Sequence, residues 1–250
     1  MGYVSNTSGV GSVDNQGRNT SCEMYYNALK VLGRTGVGCI YIIDLKNEKL
    51  EFISENPSLF AGLHSKEVEK IGYRFFRKYA RAEDLKILKA VNSAGFKFFE
   101  CLTSEEKKKQ HTIAYDFHIK SVSTVDVLVN HKITPIEVSE EGDISKMVCI
   151  ASYALSKTAG NICISSNISD VYWCYNLDTE KWSGQNKITL KPREIEIIRL
   201  YLQGLKIEEI AQQLFVSPTT VKFHRSKLFE KIGVSNITEA ISYVISNNLI

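Results

Sequence analysis

The sequence predicts an α+β protein in which an antiparallel sheet with helices is followed by an all-α domain of four helices. Between residues 39 and 155, apolar runs and alternating apolar and polar residues are typical of strands, with helical segments among them. From residue 190 onward the apolar residues recur only at helical spacing. A chain of 250 residues has room for one or two domains of ordinary size.

The N-terminal segment changes character near residue 20. Residues 1–19 are rich in Gly, Ser and Asn and are expected to be mobile, because they offer little apolar surface to bury. Residues 21–32 are predicted to form an amphipathic helix that Thr20 or Ser21 caps and Gly33 ends. Its expected buried stripe consists of Met24, Ala28, Val31 and Leu32.

Two strands, a helical stretch and three strands are expected next. The first strand, 39–43, is apolar on both faces, which predicts a central strand; a polar turn at 46–48 leads to the second. Residues 56–95 suggest several short helices, and the clearest has Leu85, Leu88 and Val91 on one face. A charged turn at 105–109 precedes the last three strands, on which His111 and His131 point to the buried face. For these two histidines, ligation of haem or a metal and a hydrogen-bonded core position are both open.

This order of elements, together with the text YARAEDLKILKAV, resembles a PAS sensor domain over residues 36–156. The resemblance implies a five-stranded antiparallel sheet with helices across one face. We therefore expect a PAS-like sensor or dimerisation domain at 20–158, including the N-terminal helix. Residues 159–186 are expected to be a linker with a hairpin that turns at 176–178 and carries Trp173 and Trp182 on its arms.

Residues 187–250 hold all of the excess positive charge. Nine Lys and Arg and six Glu lie from residue 186 onward, which leaves 22 charges of each sign before it. Four helices are predicted here. The first begins at Pro192, has the stripe Ile195, Ile198 and Leu202, and stops at Gly204; the second spans 207–214. The third begins after Ser217, a capping residue, and ends at Gly233, and the fourth begins near residue 235.

The third helix has two different faces. Val221, Leu228 and Ile232 fall on the side that must meet the core. The far side carries an exposed aromatic residue beside lysines, which favours a DNA major groove, where an aromatic edge contacts thymine methyl groups and Lys reaches guanine or phosphate. That side consists of Thr219, Lys222, Phe223, Ser226 and Lys227. Arg225 lies at the edge of the core, within reach of a flanking phosphate.

The C-terminal segment closely resembles the LuxR/FixJ-type helix-turn-helix of bacterial transcription regulators. The residues that carry the resemblance include Pro192-Arg193-Glu194, Glu209-Ile210-Ala211, Thr220-Val221-Lys222 and Gly233-Val234. It implies that Lys222, Phe223 and Ser226 face bases and that the fourth helix pairs two subunits on DNA. The sequence departs from the family at four positions: Lys191 and Lys206 replace capping Thr and Ser, and Glu208 and Ile237 replace cations.

Several classes of protein are not expected. The sequence has no glycine-rich phosphate loop, HExxH or GxSxG motif, so we predict no enzyme, catalytic residue, cofactor or metal site. Its six cysteines are at least eleven residues apart, too far for a C-x-x-C zinc or redox pair. A phospho-acceptor receiver domain is rejected because the last three strands are consecutive. Without an apolar run of eighteen residues or a secretory signal, we expect a cytoplasmic protein with no membrane partner.

The sequence therefore predicts a dimeric transcription regulator that binds double-stranded DNA in the major groove. Lys222, Phe223, Ser226 and Lys227 would meet bases or nearby phosphates, while Thr219, Thr220 and Arg225 would fix the register on the backbone. A contact with RNA polymerase and a small-molecule ligand in the PAS-like domain are left open. The alternative is a ligand- or partner-binding sensor whose helix-turn-helix serves protein contacts.

Overall fold

The computed structural model describes residues 15–35, 38–56, 59–121, 125–247 and 249–250, with the backbone alone at 15–22 and 246. Within this part the N-terminal elements are α1 Asn15–Arg34, β1 Cys39–Asp44, β2 Lys49–Ile53, α2 Ser65–Ile71, α3 Arg74–Tyr79, α4 Leu85–Ala90, α5 Phe96–Glu100 and α6 Glu105–Lys109. The strands that follow are β3 His111–Ile119, β4 Val127–Val138, β5 Ile144–Tyr153, β6 Gly160–Ser166, β7 Val171–Asn176 and β8 Lys181–Asn186. The chain ends with α7 Pro192–Leu202, α8 Ile207–Gln213, α9 Pro218–Ile232 and α10 Ile237–Ser246.

All eight strands belong to one antiparallel sheet, in the order β2-β1-β5-β4-β3-β6-β7-β8. The prediction of an α+β chain is confirmed, but the prediction of five strands is wrong. Residues 160–186, expected as a linker with a hairpin, extend the sheet because β6 pairs with the free edge of β3. Ile162 and Ile164 of β6 alternate with polar neighbours and are buried in the same core as β3, which stabilises the extension.

The two faces of the sheet are covered by different helices. On one face, α2–α5 pack over a large aromatic core that includes Tyr41, Phe75 and Phe117. On the other face, which we call the outer face, Ile40, Ile42 and Phe52 pack against Leu29 of α1. Every residue of 39–43 is buried, as the apolar run predicted for a central strand.

Helix α1 differs from its predicted form in both start and orientation. It begins by Asn15, so 15–19 are helical and Thr20 and Ser21 are not its caps. The expected stripe is exposed, whereas Tyr26 stacks on Phe52 and Leu29 is buried. That stripe consists of Met24, Ala28, Val31 and Leu32. The reason lies at Gly33, on the same face as Leu29: a Cβ there would come within 2.5 Å of the Ser54 Cβ, so only glycine permits this approach. Residues 1–14 lie outside the described part.

Three further local predictions require correction. Residues 105–109 are a short helix with Ser104 as its cap, because the Ser104 hydroxyl accepts a hydrogen bond from the Lys107 amide at 3.2 Å. In α4, Ile87 is buried and Leu85 is exposed. In α7, Leu202 is exposed, while Ile197, Ile198 and Leu200 form the buried side. Val91 and Ile198, which belong to the two predicted stripes, are buried as expected, and the errors are confined to Leu85 and Leu202.

Helices α7–α10 form two apolar clusters of their own. Ile197, Ile210 and Val221 lie at the centre of the first cluster, and Ile198, Leu228 and Val244 lie at the centre of the second.

The five residues between β8 and α7 are anchored at both ends. The Lys187 amide donates to the Asp170 carbonyl oxygen at 2.6 Å, and Ile188 and Leu190 pack on the second cluster. Among the described residues, no helix has the length and apolarity needed to cross a membrane.

Candidate nucleic-acid interface and cavity

Helices α8 and α9 are joined by a tight turn at 214–217, and local chemistry defines where α9 begins and ends. The Ser217 hydroxyl accepts a hydrogen bond from the Thr220 amide at 3.1 Å, and Pro218 occupies the first helical position. Gly233 ends the helix in the left-handed conformation, with φ of 70°. The predicted boundaries of this helix are therefore those of the structure.

The two faces of α9 are separated as the helical wheel predicted. Val221, Leu228 and Ile232 are buried. The opposite face is exposed, and the Phe223 side chain remains 58% accessible, with its ring against that of His224. The exposed face, which we call the α9 outer face, consists of Thr219, Lys222, Phe223, Ser226 and Lys227.

The cations around this face differ in their pairing. Lys222 has no ion pair among the described residues, whereas Lys227 Nζ lies 2.8 Å from Glu230 Oε2 on the helix surface. Arg225 is half-buried and its guanidinium lies over the Phe229 ring. Its Nε is buried without a hydrogen-bond partner within the described part of the chain. Thr220 is also half-buried, and its hydroxyl lies 2.9 Å from the Ser217 hydroxyl.

Sequence reasoning did not single out Phe215, which lies in the turn between the two helices. Its side chain is 95% exposed, and its φ of 53° is in the left-handed region that favours glycine. A large apolar residue within a two-helix turn is the signal that could have marked it. The structure thus presents two exposed phenylalanines, one in the turn and one on α9.

A buried carboxylate holds α7 against α9. Glu194 Oε2 accepts hydrogen bonds from the Lys191 amide at 2.8 Å and from Lys231 Nζ at 3.1 Å. Burial raises the pKa of the Glu194 carboxyl, but these two donors outweigh it and hold the pKa below its usual value. Glu194 is therefore ionised at neutral pH and holds the C-terminal end of α9 against α7.

A cavity of about 760 Å³ lies between the sheet and helices α3–α4. Its floor includes the hydroxyls of Tyr41 and Tyr115, which lie 3.1 and 3.3 Å from His131 Nδ1. Its mouth carries Arg74, Arg77 and Lys89. Burial lowers the pKa of His131 to about 3, so the ring is neutral and belongs to the core. His111, the second histidine expected inside, lies at the edge and bonds the Lys107 carbonyl oxygen.

The sequence model for "Bacterial regulatory proteins, luxR family" matches residues 189–244, the segment that contains α7–α10. These residues are a LuxR-type helix-turn-helix domain. Two curated relatives match this region: the Fimbriae Z protein of Salmonella typhimurium, 34% identical over 67 residues, and the oxygen regulatory protein NreC of Staphylococcus aureus, 37% identical over 75 residues. The matches cover 27% and 30% of this chain and 32% and 34% of theirs, so the chain spans about a third of the length of these relatives.

Two solved structures show weaker overall similarity. The response regulator ChrA of a haem-sensing two-component system is 39% identical over 26% of this chain and 33% of its own, with a TM-score of 0.25. The VqmA–ligand–DNA complex of Vibrio cholerae is 16% identical over 85% of this chain and 83% of its own, with a TM-score of 0.31. TM-scores this low do not establish a common arrangement of the whole chain.

The departures of the LuxR-type domain from its family have a compensating feature. Lys191 and Lys206 stand at the N-caps of α7 and α8, where a lysine side chain has no acceptor to offer. Each helix retains the reverse half of a capping box, because Glu194 and Glu209 accept from the amides of Lys191 and Lys206. The loss of a capping hydroxyl is thereby partly offset at both helices.

The last helix of the LuxR-type domain lies close to the sheet. Glu239 Oε1 of α10 is 2.8 Å from Lys157 Nζ, in the loop that follows β5. This lysine and the amide and hydroxyl of Ser235 lower the pKa of Glu239 to about 2. Tyr243, four residues further along α10, is half-buried. Burial raises the pKa of its hydroxyl, and the nearby thiols of Cys174 and Cys163 raise it further, so α10 lies near β6 and β7.

Proposed function

We propose that this chain is a sequence-specific, dimeric DNA-binding transcription regulator. The observation that carries the proposal is the α9 outer face, where an exposed phenylalanine stands between lysines on the second helix of a LuxR-type helix-turn-helix. Such a surface suits a major groove, in which an aromatic ring meets thymine methyl groups and lysine meets guanine. In the free chain the Phe223 ring meets the neighbouring His224 ring but is otherwise left largely in water.

The proposed DNA-binding residues fall into two groups, those that contact bases and those that contact the backbone. Lys222, Phe223, Ser226 and Lys227 contact base edges or adjacent phosphates. Thr219 and Thr220, at the start of the helix, and Arg225, at its edge, fix the register on the sugar-phosphate backbone. In this assignment, the unpaired Nε of Arg225 acquires a phosphate partner on binding.

The N-terminal region acts as a PAS-like sensor. Supporting this, the first five strands have the spatial order β2-β1-β5-β4-β3, and helices cover one face. The cavity is within the size range of small-molecule sites and combines apolar walls with a few polar groups, which supports a ligand.

Two chains would pair through α10 and through the exposed side chains of Met24 and Val31 on α1. Phe215 is the exposed group available to a protein such as RNA polymerase.

Selection from a random double-stranded DNA library tests the proposal. The full-length protein is mixed with the library at two salt concentrations, and the bound DNA is sequenced. We expect a two-fold-symmetric site, because two copies of one domain read two half-sites. Lys222→Ala should weaken binding to that site by about 1–3 kcal/mol, whereas Lys86→Ala on α4 removes the same charge without loss.

Two other outcomes would contradict parts of the proposal. An equal loss for Lys222→Ala on every sequence would make Lys222 a phosphate contact only. No recovery of DNA at either salt concentration would overturn DNA binding and favour a helix-turn-helix that serves protein contacts. The ligand is tested separately by screening metabolites for a rise in unfolding temperature, with Leu88→Trp as the variant that fills the cavity.

A further inference from the structure

Strands β6 and β7 bring two cysteines face to face. Cys163 and Cys174 are eleven residues apart in sequence, but they are direct partners across the antiparallel pair. Their sulfur atoms are 2.7 Å apart. Directly opposed residues on neighbouring antiparallel strands have Cα separations of about 4.5–5.5 Å, within the range that a disulfide spans. The sequence spacing alone did not reveal this pair.

The environment of the pair differs from that of the other described cysteines. Cys39 and Cys149 are fully buried in the core, and Cys101 is exposed near the end of α5, away from these strands. Cys163 and Cys174 are both half-exposed. They therefore combine a neighbouring thiol with access to solvent, and a small oxidant can reach them without unfolding the sheet.

The pair lies close to α10 of the LuxR-type domain. Ile164 and Trp173, the next partners in the same register, face the helical side of the sheet, so the two thiols lie on the outer face. Tyr243 of α10 is close enough for both thiols to affect its pKa. Lys157, in the loop between β5 and β6, forms an ion pair with Glu239 of the same helix.

We propose that Cys163 and Cys174 are a redox-active dithiol whose oxidation by a hydroperoxide alters the docking of α10. A thiolate attacks the peroxide oxygen, the O–O bond breaks, and a sulfenic acid and one molecule of water or alcohol result. The second thiol attacks the sulfenic sulfur, the S–S bond forms, and water leaves. The two thiols lose two electrons in total, and the peroxide is reduced.

The two cysteines are equivalent in this sequence of steps. Both are half-exposed, so either thiol can attack the oxidant and the other then resolves the sulfenic acid. Closing the disulfide removes both S–H groups from the surface near Tyr243.

Mass spectrometry of the full-length protein tests the chemistry. Peroxide should remove two hydrogen atoms from the wild type and from Cys101→Ser, with peptide mapping that joins β6 to β7, and a dithiol reductant should reverse the change. Cys163→Ser and Cys174→Ser should each instead form a sulfenic acid at the remaining cysteine that dimedone traps, and the double variant should form neither product. Failure of the wild type to form the link, or a link that uses Cys22 or Cys101 instead, would overturn the proposal.

Hydrogen exchange tests the effect on α10 and does not depend on DNA. Oxidation should change the exchange rate of the α10 amides severalfold in the wild type and leave it unchanged in Cys163→Ser. The amides of α8, which is remote from the sheet contact, serve as the internal control. A disulfide that forms without any change at α10 would overturn the regulatory half of the proposal.

Discussion

Glu194 in the first turn of α7 and Lys231 in the last turn of α9 form an ion pair, with 3.1 Å between Oε2 and Nζ. The carboxylate is only 5% exposed, and it also accepts from the Lys191 amide that begins α7. One buried group thus caps one helix and holds the end of another. The position of α9 against α7 is therefore set by this group together with the apolar clusters.

Lys231→Met is expected to destabilise the LuxR-type domain. The Glu194 carboxylate would remain buried with one donor fewer, which costs about 1–3 kcal/mol. Lys227→Met is the matched control; its partner Glu230 is exposed, so this substitution should change the stability of the domain very little. Hydrogen exchange of the α9 amides in the full chain measures the loss of stability in both variants. Equal effects of the two substitutions would contradict the structural role of Glu194.

The same pair predicts a pH dependence. The folded pKa of Glu194 is lower than its unfolded value, so its contribution is fully present above about pH 4.3 and is lost as the pH falls through the folded pKa. The difference in the free energy of unfolding between the wild type and Lys231→Met should therefore become smaller in acid. A difference that stays constant from neutral pH into acid would show that the lysine acts through packing alone.

His131 should make the N-terminal region less stable in mild acid. Its folded pKa is about 3 and its unfolded value about 6.5, so between these values the unfolded chain binds a proton that the folded chain does not. Stability then falls as the pH decreases, by about 1.4 kcal/mol per pH unit. His131→Gln should remove this slope, and His64→Gln, at an exposed position, should retain it. Urea unfolding at several pH values distinguishes them.

Phe223→Ala is expected to weaken binding to the selected DNA site about five- to tenfold, with little change in stability, because in the proposed complex the ring meets the groove and in the free chain it is exposed. Phe215→Ala is the control, since it removes an even more exposed ring from the adjacent turn. Fluorescence anisotropy with the selected site measures both variants. If the two variants bind alike, Phe223 does not read bases.

Gly33→Ala should destabilise the fold, although alanine is more favourable than glycine inside a helix by about 1 kcal/mol. The new Cβ would lie 2.5 Å from the Ser54 Cβ and force α1 away from the sheet, at a cost of about 1–3 kcal/mol. Thermal unfolding of Gly33→Ala, Ser54→Gly and the double variant completes a cycle. The interaction energy should be favourable, because the second change removes the clash. A purely additive result would contradict the close approach.

The parts of the fold that local chemistry defines were predictable from sequence. Ser217, Pro218 and Gly233 define α9 by a cap, a fixed φ and a left-handed stop, each of which acts within a few residues. The alternation along β4 likewise predicted that His131 faces the core. The exposed face of α9 followed from the same helical geometry.

The parts that depend on distant partners were not predictable. Nothing near Cys163 indicates that β6 pairs with β3 and that β7 then places Cys174 opposite it. The orientation of α1 depends on Ser54, twenty-one residues beyond Gly33, and a count of apolar residues on the helix gave the opposite face. Glu194 was identified as a family residue, but its ion pair with Lys231 joins two helices through residues that are 37 positions apart in sequence.

The five residues between β8 and α7 leave the LuxR-type domain little freedom to swing. A fully extended chain of that length reaches only about 17 Å, and Lys187 and Ile188 at its first positions are already fastened to the sheet and to the second helical cluster. A large rotation of the domain would require Ile188 and Leu190 to leave that cluster and enter water. Because this five-residue segment is short and attached at both ends, a small displacement of the β7–β8 hairpin is transmitted to α7 and, through the second helical cluster, to α9.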